Sequence, residues 1–180
     1  MTTVEYLRTP ERLAPAQLAH GVFMVRDAPS PRHQDAVKRY FLALHEHVET
    51  RRLGEMWLAP LDVILDAERA LVVQPDLLFI SKVRSHILVD RVRGAPDLVL
   101  EVLSPRPRVG ELEERLGWYA RYGVRECWVV RLFERRVEIV GSSDGQITRR
   151  VQIGWDDPIA SEVLPEFRRS PRDVLGEYRS

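Results

Sequence analysis

Cysteine is nearly absent. Cys127 stands alone, which excludes an internal disulfide framework and a multi-cysteine zinc site. Lysine is almost as scarce: Lys38 and Lys82 are the only two among 27 basic residues, and the other 25 are arginine. Neither charge is in excess, because 27 acidic residues balance the basic ones, so net charge by itself predicts no polyanionic partner. Glycine (10) and proline (12) are too few among 180 residues for a linker or a collagen-like chain. Long apolar runs are missing as well. A typical stretch, Asp97-Leu-Val-Leu-Glu-Val-Leu103, falls far short of the ~20 residues that cross a bilayer. The opening Met1-Thr-Thr-Val-Glu-Tyr-Leu-Arg8 has no basic segment followed by an apolar core, so no secretory signal is expected. A cytoplasmic protein without a membrane partner is the expectation.

What is present suits one folded domain over 1–180. Hydrophobic residues make up 44% of the chain, and a chain of this length buries roughly 70% of its unfolded surface. Gly21-Val-Phe-Met-Val-Arg26 reads as a first strand after a turn-rich stretch over 9–18. Pro29-Ser-Pro-Arg32 sets up a helix start, and Val37, Tyr40, Phe41, Leu44 and Val48 carry the helical period to about Thr50. Strands are expected over 55–66 and 71–81, joined by a short turn, and over 96–103. A helix over 110–122, stopped by Gly123, precedes a strand over 125–130. A hairpin turning at Ser143-Asp-Gly145 and a short helix capped by Ser170 complete the chain. The order is α/β: helix, three strands, helix, strand, with mixed sheets flanked by helices.

Carboxylates stand inside runs that otherwise belong in a core. Side chains alternate along a strand, so Asp76 shares a face with Leu78 and Ile80, Glu101 with Val99 and Leu103, and Asp62 with Leu58 and Ile64. A buried carboxylate costs several kcal/mol unless a cation or hydrogen bonds offset it. Two explanations satisfy that requirement. Each acid pairs with one of the many arginines, or the acids converge on one cation. With oxygen ligands and no histidine or cysteine in the set, that cation would be Mg²⁺ or Mn²⁺.

Pro29-Ser-Pro-Arg-His-Gln34, Ala59-Pro-Leu-Asp-Val63, Val73-Gln-Pro-Asp-Leu77, Gly94-Ala-Pro-Asp-Leu-Val-Leu-Glu-Val-Leu-Ser-Pro105 and Tyr119-Ala-Arg-Tyr-Gly-Val-Arg-Glu-Cys-Trp128 resemble the Uma2 family, also called DUF820. Its members resemble PD-(D/E)XK restriction-endonuclease-like nucleases. The resemblance runs from about residue 20 to 175. It implies a restriction-endonuclease-like core over about 31–131, with an extra N-terminal strand and a peripheral hairpin and helix over 132–180. It also implies a DNA endonuclease that uses one or two Mg²⁺ (or Mn²⁺) ions. By position, Asp76 and Glu101 become metal ligands and catalytic residues, the Val102 carbonyl a further ligand, and Asp62 an assisting one. The third-strand motif places a lysine two residues after its acid, where this chain has Leu103. In Uma2 proteins that lysine sits on the next helix, four residues before a tyrosine, and here that position is Arg115.

Arginine keeps the charge that steadies a reacting phosphate, but its pKa above ~12 bars it from acting as a base. The other reading of Arg115 is a solvated i,i+4 pair with Glu111. His33, in the first turn of its helix, either touches substrate or only packs at the helix start. Arg84, Arg91, Arg93, Arg106 and Arg108 bracket the third strand, either as a rim gripping phosphate or as partners for nearby acids. Two further readings of the same fold are a nucleic-acid-binding module weakened in catalysis and an assembly protein. Trp57, Trp118, Trp128 and Trp155 serve a core or the interface of a homo-oligomer. Gly141-Ser-Ser-Asp-Gly145 matches a nucleophile-elbow spacing, but strands flank it on both sides and no histidine follows, so it reads as a hairpin turn.

Overall fold

Two β-sheets divide the chain, and a single long hairpin runs through both. The computed structural model describes residues 1–9, 16–25, 28–103 and 109–177. In chain order the elements are α1 (Thr3–Leu7), β1 (Ala16–Ala19), β2 (Val22–Val25), α2 (Pro31–Arg51), β3 (Gly54–Leu58), β4 (Val63–Asp66), β5 (Leu71–Val73), β6 (Leu77–Ser81), a 3₁₀ turn (Lys82–Ile87), β7 (Val92–Arg93), β8 (Leu98–Val102), α3 (Val109–Tyr122), β9 (Glu126–Arg131), β10 (Arg136–Ser143), β11 (Gln146–Gly154) and α4 (Pro171–Leu175). One sheet has the order β2-β1-β5-β4-β7 and the other β11-β10-β9-β8-β6-β3. Within the six-stranded sheet β8 and β9 are parallel and the remaining pairs antiparallel. The sequence α2, β3, β6, β8, α3, β9 is the expected order of helix, three strands, helix and strand, in mixed α/β form.

The segments 55–66 and 71–81 are each two strands rather than the one the sequence suggests. Both break at a proline, Pro60 on the outgoing arm and Pro75 on the return. Proline has no amide proton for a ladder, so pairing lapses on both arms together. Below the break β3 pairs with β6 in the larger sheet, and above it β4 pairs with β5 in the smaller. Asp76 therefore lies one residue outside β6, not within it.

The N-terminal stretch also differs from expectation. Residues 16–19 form β1, paired with β2 across a two-residue loop in which His20 and Gly21 both have positive φ (48° and 86°). That is the geometry of tight hairpin turns. Asp144 and Gly145 (φ 51° and 77°) make the same kind of turn between β10 and β11, as the sequence suggests.

Alternation sorts the larger sheet into two cores. Leu77, Phe79, Leu98, Leu100 and Val102 face α2, whose Ala36, Tyr40, Ala43, Leu44 and Val48 are buried against them with Trp128. Each such large side chain contributes about 1.5–3 kcal/mol on burial. Leu78, Ile80 and Val99 face the other way, toward Leu112, Leu116 and Tyr119 of α3 and Val63, Leu71 and Val73 of the smaller sheet. Among the described residues, no helix is long and apolar enough to cross a membrane.

Candidate active site

Strand register brings the two acids together. In the antiparallel β6–β8 pair Leu77 lies opposite Leu100 and Leu78 opposite Val99. One residue further on, Asp76 comes opposite Glu101, and both share the α3 face with Leu78 and Val99. Directly opposed residues on one face hold their Cβ atoms roughly 4.5–5.5 Å apart. The Val102 amide donates to Asp76 Oδ2 at 2.7 Å, tying the broken strand end to β8. His33 Nε2 meets the same oxygen at 3.2 Å. It is delivered there by α2, whose Ser30 cap accepts the His33 amide and whose first position is Pro31. Asp76 Oδ1 takes no hydrogen bond among the described residues, and the carboxylate keeps 16% of its side-chain surface exposed.

Glu101 is held quite differently. Its Oε1 accepts Arg115 Nε at 2.6 Å and the Tyr119 hydroxyl, and the carboxylate is buried. Arg115 is buried too. Its Nε also reaches the Tyr119 oxygen (2.9 Å), one terminal nitrogen donates to the Gln17 side chain on β1, and the other to the Gln74 carbonyl (3.0 Å) at the hairpin break. Burial works against the Arg115 charge, but Glu101, Tyr119 and Asp76 together outweigh it, and the guanidinium pKa moves up. Burial pushes the Tyr119 phenol and the Cys127 thiol well up, so both stay protonated. Of the two readings of Arg115, the solvated pair with Glu111 gives way to an enclosed ion pair with Glu101. Both terminal nitrogens of Arg115 are thus turned to protein acceptors, and its Nε lies between Glu101 and Tyr119.

Burial lowers the His33 pKa, but its hydrogen bond to Asp76, the Asp76 charge, the Val102 backbone and Glu101 together raise it above 6.5. The folded state therefore binds a proton more tightly than the unfolded chain. The resulting stability is complete below the unfolded value and lost as pH rises through the folded one. Urea titrations should show the parent losing stability relative to His33→Asn as pH rises above the ordinary histidine value of about 6.5. Equal slopes for the two proteins would contradict this.

The remaining expected site residues separate. Asp62 does not join the acid pair. Tyr6 OH (3.1 Å) and Gln74 Nε2 (2.9 Å) reach its Oδ1 and Arg91 Nε (3.1 Å) its Oδ2, so its charge is answered by arginine. Arg84 lies 3.6 Å from the buried Asp97, and Arg93 holds Asp90 at 3.1 Å. These three arginines answer acids instead of forming a free rim. Arg106 and Arg108 lie outside the described residues. Lys82 sits beyond the far end of β6 and cannot stand in for the missing lysine. Gln17 and Gln74 went unread in the sequence. The signal for Gln17 was the pattern Ala16-Gln-Leu-Ala-His-Gly-Val-Phe-Met-Val25, which has hairpin form.

The donor set suits a hard divalent cation. Asp76 with its uncommitted Oδ1, the Glu101 carboxylate and the Val102 backbone are all oxygen donors, as magnesium prefers. No group of three or more histidine, cysteine, aspartate or glutamate side chains fit to hold a metal occurs among the described residues.

The family model Uma2, described as "Putative restriction endonuclease", matches residues 3–172. No curated protein matches the chain. Among solved structures, a protein from Anabaena variabilis ATCC 29413, described as a "putative nuclease belonging to DUF820", superposes with a TM-score of 0.84 at 16% identity, covering 99% of each chain. That likeness shows a shared fold.

Proposed function

The chain belongs to the Uma2 family, and from that premise we propose that it is a DNA endonuclease hydrolysing phosphodiester bonds with Mg²⁺ or Mn²⁺ held by Asp76, Glu101 and the Val102 carbonyl. The observation that carries this reading is the register: two acids meet on one face where the hairpin breaks, and Asp76 Oδ1 takes no hydrogen bond among the described residues. When bound, such an ion lowers the pKa of a coordinated water and offsets charge on the phosphate. The protein's own residues hold the site in shape. The Val102 amide and His33 both fix the Asp76 carboxylate through its Oδ2. Arg115 and Tyr119 both hold Glu101 through its Oε1 and so restrict the movement of that carboxylate. Arg115 stays charged throughout and takes no proton from water.

The test is nicking of supercoiled DNA. Cleavage is expected with Mn²⁺ or Mg²⁺ and should disappear with EDTA; cleavage that survives chelation would sink the proposal. The enclosure of Arg115 favours one second reading, a DNA-binding module without hydrolysis. Salt-sensitive DNA affinity with no cleavage in any divalent ion would select it.

A further inference from the structure

We propose that Trp57 is a stacking shelf for an unpaired base beside the acid pair, so that the strand entering this site is single-stranded or locally unpaired DNA rather than intact duplex. The inference rests on the endonuclease reading and names its substrate form.

Trp57 is the only exposed tryptophan of the four. Trp128 and Trp155 are buried and Trp118 is half-buried, whereas Trp57 keeps 37% of its surface in solvent. Its neighbour Met56 points into the α2 core, so alternation turns Trp57 to the opposite face. That is the face of the acids: Trp57 pairs with Leu78, and Leu78 shares its side of β6 with Asp76. Trp57 and Asp76 are thus diagonal cross-strand neighbours, roughly 7–8 Å apart and within reach of an aromatic side chain. β3 is the outer strand of its sheet, so among the described residues no further strand covers the ring from that side. Among the described residues the indole makes no hydrogen bond, ring pair or cation–π contact.

An exposed, uncommitted indole costs solubility and adds little to the core. Beside two acids that would flank a scissile phosphate, its flat face suits a nucleobase. A base inside a duplex is already stacked on its neighbours, so only an unstacked one can lie on this shelf. Further along the same edge, Lys82 and Ser85 line a small pocket with Gly54, Glu55 and Ile80. Lys82 there suits the strand's phosphates, whereas Glu55 opposes them.

Binding is measured by fluorescence anisotropy in the Asp76→Asn protein, which is not expected to cleave and has lost one charge repelling phosphate. The probes are labelled oligothymidylate and a labelled hairpin duplex. Adding Trp57→Ala should weaken oligothymidylate binding about tenfold and duplex binding less than about twofold. Trp57→Phe should retain most of the affinity, while the quenching of tryptophan emission by oligothymidylate disappears. No loss on Trp57→Ala, an equal loss on both probes, or no oligothymidylate binding at all would overturn the proposal. Absence of metal-dependent cleavage in the parent defeats the endonuclease reading and leaves this binding test intact. Normal cleavage without discrimination by Trp57 defeats only the shelf.

Discussion

Asp76→Asn should reduce divalent-dependent nicking by at least about a hundredfold, the scale on which one lost electrostatic contact at a reacting centre is felt. The same substitution should leave the fold almost untouched. Asparagine keeps an oxygen at the position that accepts the Val102 amide and faces His33. What is lost is the charge. A hydrogen bond to a charged group is worth about 1.5–3 kcal/mol and a neutral one about 1 kcal/mol, so the metal-free protein should lose about 1 kcal/mol. For a domain of this size that is a fall of about 2–4 °C in melting temperature. The divalent ion separates function from folding more sharply. An ion that binds only the folded state adds about 2.7 kcal/mol at a hundred times its Kd, so Mn²⁺ should raise the parent's melting temperature and leave that of Asp76→Asn unmoved. An Asp76→Asn protein that still nicks DNA, or still gains stability from Mn²⁺, would remove Asp76 from the site.

The central order of elements was legible because its signals are local. Ser30 and Pro31 start α2, Gly123 ends α3, and Asp144-Gly145 turns the last hairpin, each through a backbone rule the residue itself carries. The acid pair was legible for the same reason: Asp76 and Glu101 stand out within apolar runs. What the sequence hid was set by contacts across large separations. Pro60 and Pro75 are visible as residues, but that their breaks fall together and send one hairpin into two sheets depends on the pairing register. For Arg115 the sequence allows both a charge beside the phosphate and, from α3 spacing, a solvated pair with Glu111; neither shows its enclosure. Its burial depends on Gln17, 98 residues away on a strand hidden in a turn-rich stretch. Asp62 is the converse case. Its place on an apolar face suggested a ligand, and only the fold shows that Arg91, Gln74 and Tyr6 reach it first.

Glu101→Gln should cost far more stability than Asp76→Asn, about 3–5 kcal/mol, because removing one partner of a buried ion pair leaves the other charge uncompensated. Glutamine preserves the shape and an acceptor oxygen. The loss therefore reports the stranded Arg115 guanidinium, which retains Gln17, the Gln74 carbonyl and Tyr119 but no anion in direct contact. At about 2–4 °C per kcal/mol the melting temperature should fall by roughly 10 °C in EDTA, where no metal can contribute. A double-mutant cycle isolates the cause. In the Glu101→Gln, Arg115→Met protein the buried charge is gone, so the combined loss should be smaller than the sum of the two single losses by about 2 kcal/mol. Recovery should remain incomplete, because methionine leaves the Gln74 carbonyl and the Gln17 oxygen without their donor, and an unmet buried acceptor costs about 1–3 kcal/mol. Denaturant titrations of the four proteins measure these terms. A Glu101→Gln loss below about 1 kcal/mol would mean that the Arg115 charge is already met by something other than Glu101. The glutamate would then not depend on Arg115 for its place, and the assignment of Arg115 as the group that fixes Glu101 would no longer hold.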